Sequence, residues 1–312
     1  MENKEMRAAY AETLVELAAK NPNIVVLEAD LMRATGTGIF QKAFPDRFFN
    51  VGVAESNMVG VAAGLSAAGR TPFAATFGCF ASRRAFDQFF LSANYARLNV
   101  KLVGTDPGIT AAYNGGTHMP FEDLALMRVV PGLTIVEPSD AVSCAAFVRL
   151  AAELYGCVYL RIPRKAVPAI YGEGEKFEFG KAKLLREGTD LCFVALGSFM
   201  VNESLKAAEA LAADGVKASV LDVLSLKPLD GQAILAQAKI TGAVISAENH
   251  QIAGGLGSAV AELLAESAFG GKFARVGIRD EFGEVGTQDY LAKRYGLTAE
   301  DLAETARKLI GA

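Results

Sequence analysis

What most limits the fold of this chain is an alternation that runs along its 312 residues, in which short apolar runs rich in β-branched and aromatic residues are each followed by a longer stretch with helical spacing. Repeated strand-helix units favour a mainly parallel sheet with helices packed on its faces, so the pattern predicts an α/β fold. In the first half it predicts an amphipathic helix over residues 6–20 and strands over 24–27, 73–77, 100–103, 133–136 and 158–160. Helices are predicted over 55–68, 82–97 and 141–154.

Between residues 164 and 189 the pattern gives way to charged residues, Pro168, Gly172, Gly174 and Gly180, which predicts a connecting segment. A second run of alternation follows, with strands over 191–195, 217–221, 243–247 and 274–278, and a helical tail for which Thr298 suits an N-cap. The expected division is a first unit over 1–170, a connection over 171–188 and a second unit over 189–312. With 51% of residues apolar and 21% charged, the chain has enough apolar material for two cores.

The formal charge of -4 is spread along the chain, and no basic run is interleaved with aromatics, so neither nucleic acid nor an acidic membrane surface is indicated as a partner. Cys79, Cys144, Cys157 and Cys192 lie far apart, without a paired motif or a histidine at metal-ligand spacing. They read as reduced thiols, and this chain is expected to bind no metal through them. A charged N-terminus and the lack of any apolar run of about eighteen residues lead to the expectation of a cytoplasmic protein.

Three places stand out as candidate sites. His118, one of two histidines, sits in Tyr113-Asn114-Gly115-Gly116-Thr117-His118-Met119-Pro120, a constrained loop after a buried strand, where open α/β sheets place ligand contacts. Glu55 opens a helix of small residues after an apolar segment; it is either a functional carboxylate or a charge complementing the helix dipole. Phe77 and Phe80 are either core or a flat aromatic platform. Gly254-Gly255-Leu256-Gly257-Ser258 lacks both the last glycine of a dinucleotide loop and the lysine of a P-loop, so it reads as helix packing.

Taken in order, residues 44–55 (Phe-Pro-Asp-Arg-Phe-Phe-Asn-Val-Gly-Val-Ala-Glu), Ala75-Thr76-Phe77, Gly115-Gly116-Thr117-His118 and Glu137-Pro138-Ser139-Asp140 resemble the pyrimidine-binding domain of transketolases. Leu226-Lys227-Pro228-Leu229-Asp230 and residues 248–257 resemble that family's C-terminal domain, so the resemblance covers nearly the whole chain. It implies an α/β pyrimidine-binding domain with a mainly parallel sheet followed by a transketolase C-terminal α/β domain. The family's diphosphate-binding domain carries Gly-Asp-Gly and a downstream asparagine that hold a divalent metal, and no Gly-Asp-Gly occurs here. The resemblance therefore implies one half of a split transketolase, completed by a partner chain that holds Mg2+ or Ca2+, in an assembly of two plus two chains.

By resemblance, Glu55 hydrogen-bonds the pyrimidine of thiamine diphosphate and favours the tautomer that takes the proton from the thiazolium ring, and Phe80 with Phe77 stacks on that pyrimidine. His118 contacts donor hydroxyls and assists proton transfer, and Arg164, with Arg161 as a second candidate, contacts the donor's phosphate. The implied reaction moves a two-carbon ketol unit from a ketose to an aldehyde. Three departures point to a specialised sugar: Asn114 replaces an aspartate that reads a donor hydroxyl, and Asp106 and Ala34 replace a histidine and a serine that grip the phosphate. Arg33 and Arg83 lie near these positions in the sequence. Rival expectations are a chain like deoxyxylulose-phosphate synthase or the 2-oxo-acid dehydrogenase β subunit, and a non-catalytic regulatory subunit on the same fold.

Overall fold

The structure, a computed structural model, describes residues 4–311. Its strands in chain order are β1 (Lys4–Glu5), β2 (Ile24–Glu28), β3 (Phe48–Asn50), β4 (Thr71–Phe77), β5 (Lys101–Thr105), β6 (Thr134–Val136) and β7 (Val158–Ile162). There follow β8 (Ala166–Val167), β9 (Lys183–Arg186), β10 (Leu191–Leu196), β11 (Ala218–Asp222), β12 (Ser225–Lys227), β13 (Ala243–Gln251) and β14 (Lys272–Ile278). One sheet has the order β12-β6-β7-β5-β4-β2-β3 and is parallel except for β12; the other has the order β14-β13-β10-β11-β9 and is parallel except for β9. The short β1 and β8 pair with each other.

Strands in the middle of a parallel sheet are covered on both faces, which is why β2, β4, β5 and β7 are buried along their full length. Alternate residues of β2 feed two cores. Ile24 and Val26 pack with Met6, Tyr10 and Leu14 of helix Met6–Lys20 and with Phe147 and Val148 of helix Ala141–Glu153. Val25 and Leu27 pack with Met58, Val59 and Ala62 of helix Glu55–Ala67. Burying each such side chain is worth roughly 1.5–3 kcal/mol, so the sandwich pins the strand ends from which the site residues emerge. Thr298 caps the last helix, Ala299–Ile310, in a reciprocal capping box with Asp301, as expected. No helix among the described residues is long and apolar enough to cross a membrane.

Two expectations differ from the structure. The helix expected over 82–97 is instead a run of widened turns, Phe80–Arg84 and Phe89–Tyr95, around a short regular turn, Phe86–Gln88. Ser82 Oγ donates to the Gly78 carbonyl (2.7 Å) and Asn94 Nδ2 to the Phe89 carbonyl (2.7 Å), and such side-chain bonds compete with regular helical pairing. The connection expected over 171–188 contains β9, which pairs with β11 of the second sheet, while β12 from the second unit pairs with β6 of the first. The units are thus interlaced: Lys227 Nζ donates to the carbonyls of Arg128 (2.9 Å) and Val130 (2.6 Å) in the first unit.

Candidate active site

The expected site residues converge at the carboxyl ends of β3, β4, β5 and β7. After β3, Asn50 Oδ1 accepts from the amides of Asp30 (3.0 Å) and Gly52 (3.1 Å), and Gly52 takes a φ of +76°. That turn delivers Glu55 as the first residue of its helix, with only 3% of its surface exposed. Arg84 Nη1 donates to both Glu55 oxygens at 3.1 and 3.2 Å, and its Cζ lies 4.0 Å from the centroid of Phe80. The Arg84 backbone is held in place because Ser56 Oγ donates to its carbonyl at 2.6 Å. Arg84 therefore joins the carboxylate and the ring expected to receive a coenzyme, a role that the sequence reading missed. Its only signal was its place four residues after Phe80.

Phe77 and Phe80 are 6.0 Å apart, and the ring of His118 stands edge-on to both, at 5.8 and 5.2 Å. Glu55, Phe77, Phe80 and His118 thus form one cluster. Thr117 Oγ1 lies 2.8 Å from His118 Nδ1, which fixes the ring's orientation. The loop carrying His118 is tightly wound, with Ala112 at a φ of +48° and a ψ of −116°, a conformation that costs an alanine energy and persists only where neighbours enforce it. Those neighbours come from the second unit. Asn249 accepts from the Ile109 amide (3.0 Å) and donates to the Pro107 carbonyl (2.9 Å), and Gly116 abuts the Gly283 backbone so closely that a Cβ would sit 1.9 Å from its carbonyl oxygen. Asn114 is exposed on this loop, four residues before His118.

Arg161 requires a correction. The sequence makes it a possible substrate contact, but it is wholly buried and donates to Asp123 (2.8 and 3.0 Å), Glu137 (2.8 Å) and the carbonyls of Pro120 (3.2 Å) and Asn249 (3.0 Å). Lying inside β7 rather than beyond its end, the side chain is committed to neutralising core carboxylates and tying the two units together. One guanidinium serves two carboxylates, so burial still pushes Glu137 up to about 7 despite Arg161. His250 is buried as well; burial holds it down to about 4, and its Nδ1 lies 2.6 Å from the Gln251 carbonyl, so it is a neutral core histidine.

Arg164 lies beyond the end of β7, with its Cζ 5.0 Å from the Phe77 centroid and its Nε 2.5 Å from Asp106 Oδ2. The repulsive carboxylate expected at position 106 is thus paired with the arginine expected to grip the donor. Arg83 faces Glu122 at 3.2 Å and donates to the Thr117 carbonyl, so it braces the His118 loop. Arg33 is exposed on helix Met32–Thr35, next to Ala34. Around the cluster the surface is open, with Val53 72% and Tyr113 70% exposed. The residues present fit the pyrimidine half of thiamine diphosphate, with a buried carboxylate beside an aromatic face that already accepts a planar cation.

Comparison with known proteins gives the family of the chain. The transketolase pyrimidine-binding domain profile matches residues 2–169, and the transketolase C-terminal domain profile matches residues 180–302. The chain is 49% identical to the 6-deoxy-6-sulfo-D-fructose transketolase subunit SqwH of Clostridium sp. strain MSTE9, over 99% of this chain and 95% of that protein. It is 36% identical to an apulose-4-phosphate transketolase subunit of Phocaeicola vulgatus, over 97% of each. A solved split-gene transketolase, an inactive beta4 tetramer, superposes with a TM-score of 0.91 at 46% identity, covering 98% of both chains. With both of its domains matched in order and its full length shared with separate subunits, the chain belongs to the transketolase family, as a subunit of the β kind.

Proposed function

We propose that this chain supplies the pyrimidine-binding side of a split transketolase active site and that a partner chain supplies the diphosphate- and metal-binding side. The observation that carries the reading is the single cluster of Glu55, Phe77, Phe80 and His118 on an open face. The exposed Val53 and Tyr113 beside that face, and the Gly60 and Gly64 side of the Glu55 helix with nothing packed near it, suit cover by another polypeptide. The sulfofructose and apulose-phosphate relatives are themselves named as transketolase subunits, which supports the same division. An assembly of two plus two chains is the proposed state, and the cytoplasm the proposed compartment.

Thiamine diphosphate, when bound, would supply the nucleophilic carbon that accepts and releases the ketol unit. Glu55 would hold the pyrimidine ring nitrogen, sharing a proton with it in a buried setting where that hydrogen bond is strong. Phe80 and Phe77 would clamp the ring's flat face. Since a guanidinium 4.0 Å from the Phe80 centroid leaves no room for a ring on the same face, Arg84 would swing aside. His118, with Nδ1 held by Thr117, would offer Nε2 to donor hydroxyls and move protons there, and Asn114 would bond a donor hydroxyl.

The test is reconstitution with a partner carrying Gly-Asp-Gly, in the presence of thiamine diphosphate and Mg2+. Ketol transfer from a ketose to an aldehyde is expected, and Glu55→Gln should lower kcat by about a hundredfold or more. Unchanged turnover in that variant would refute the assignment and favour a regulatory subunit. Condensation of pyruvate instead of ketol transfer would favour the deoxyxylulose-phosphate synthase or 2-oxo-acid dehydrogenase reading.

A further inference from the structure

The ketol-transfer reading brings the donor's far end to Arg164, and that arginine is paired with a buried carboxylate. From His118 the path runs 5.8 Å to Phe77, then 5.0 Å from that ring to the guanidinium of Arg164, and then 2.5 Å to Asp106. The pair therefore lies one aromatic ring away from the histidine expected at the donor's hydroxyls. Asp106 is buried, with 2% of its surface exposed, and takes a φ of +60° at the end of β5 while its amide donates to the Ile162 carbonyl at 3.1 Å. A carboxylate built into the backbone turn in this way cannot withdraw far from Arg164. Its Oδ2 lies in direct ion-pair contact with Arg164 Nε.

Asp106 offsets the charge of Arg164, and Arg7, which also feels the Asp106 carboxylate, is already paired with Glu5 at 2.8 Å. Lys165 is exposed, so solvent weakens its pull, and Lys206, which lines the same cavity as Arg164, is paired with Glu203 at 2.7 Å. A dianionic end brought to Arg164 doubles both its attraction to the guanidinium and its repulsion from Asp106, so the nearly neutral pair returns little, while the cost of stripping water from the end grows with the square of its charge; a singly charged end loses far less water and still finds the free guanidinium nitrogens as donors. We propose that Asp106 is the specificity-determining residue of this subunit, selecting ketose donors whose far end carries one negative charge, as a sulfonate does, over phosphate dianions. The proposal rests on the ketol-transfer reading above. Named relatives act on both kinds of sugar, a sulfo-sugar and a sugar phosphate, so family membership does not settle the choice.

The experiment compares three donors with one carbon skeleton, 6-deoxy-6-sulfofructose, fructose 6-phosphate and fructose, in the reconstituted complex with a single aldehyde acceptor. The wild type should use the sulfonate over the phosphate by on the order of tenfold or more in kcat/KM. Asp106→Asn should raise kcat/KM for the phosphate by a similar factor, through KM, and change the sulfonate and fructose by much less. Equal use of phosphate and sulfonate by the wild type overturns the proposal, and that comparison needs no variant to fold. An equal change for all three donors in Asp106→Asn overturns it too, since a packing role would act that way. Transfer from no donor, in a complex that still binds thiamine diphosphate, would instead refute the ketol-transfer reading on which it stands.

Discussion

Replacing Arg161 by methionine separates a buried clamp from a substrate ligand. The guanidinium is fully buried between Asp123 and Glu137 and also donates to the carbonyls of Pro120 and Asn249. In its absence Asp123 keeps the Tyr159 hydroxyl at 2.8 Å, while Glu137 has no other hydrogen-bonding side chain among the described residues. Breaking a buried pair by deleting one partner costs about 3–5 kcal/mol. At about 2–4 °C per kcal/mol for a large domain, Tm should fall by roughly 6–20 °C. Glu137, already pushed up to about 7 by burial, should move higher still without Arg161. A raised carboxyl favours the folded state below its unfolded pKa, and that benefit is lost as pH rises through the folded value. The deficit of the variant should therefore be larger at pH 8 than at pH 5.5, by calorimetry or circular dichroism. A Tm loss under about 2 °C, together with a raised donor KM, would show that Arg161 contacts the sugar and that its buried placement is wrong.

Two further outcomes follow from the same geometry. Because Arg84 occupies both Glu55 and the Phe80 face, Arg84→Gln should tighten thiamine diphosphate binding to the reconstituted complex by roughly three- to thirtyfold, measured by calorimetric titration; weaker binding would make Arg84 a coenzyme contact instead. Glu28 is pushed up to about 8 by burial, against the bonds it accepts from Thr35 and Thr37, so the native state keeps a proton that the unfolded chain gives up near pH 4.5. Glu28→Gln, which needs no proton, should match the wild type in stability near pH 4.5 and exceed it by up to about 4 kcal/mol at pH 8 in urea titrations, and a constant difference across that range would refute the shift.

Where the sequence reading succeeded, the information was local. A helix from residue 6 to 20, four fully buried strands and the Thr298 cap each follow from apolar spacing or from a single side chain next to its own backbone. The widened turns at Phe80–Arg84 escaped because helical spacing looks alike in regular and widened turns until Ser82 is seen to bond the Gly78 carbonyl. Strands β9 and β12 escaped because three or four residues are too few to show a period, and their partners lie far away in sequence.

The same distinction holds at the site. The order of motifs, through the resemblance to transketolases, led to the expectation that Glu55, Phe77, Phe80 and His118 act together and that Asp106 stands where the family has a histidine. Only the tertiary structure decided which arginine is available: Arg161 and Arg164 are three residues apart on one strand and its exit, yet one is wholly buried among carboxylates and the other reaches the surface beside Phe77. Charge acts through distance and burial, and both are set by segments that meet only when the second unit closes over the first.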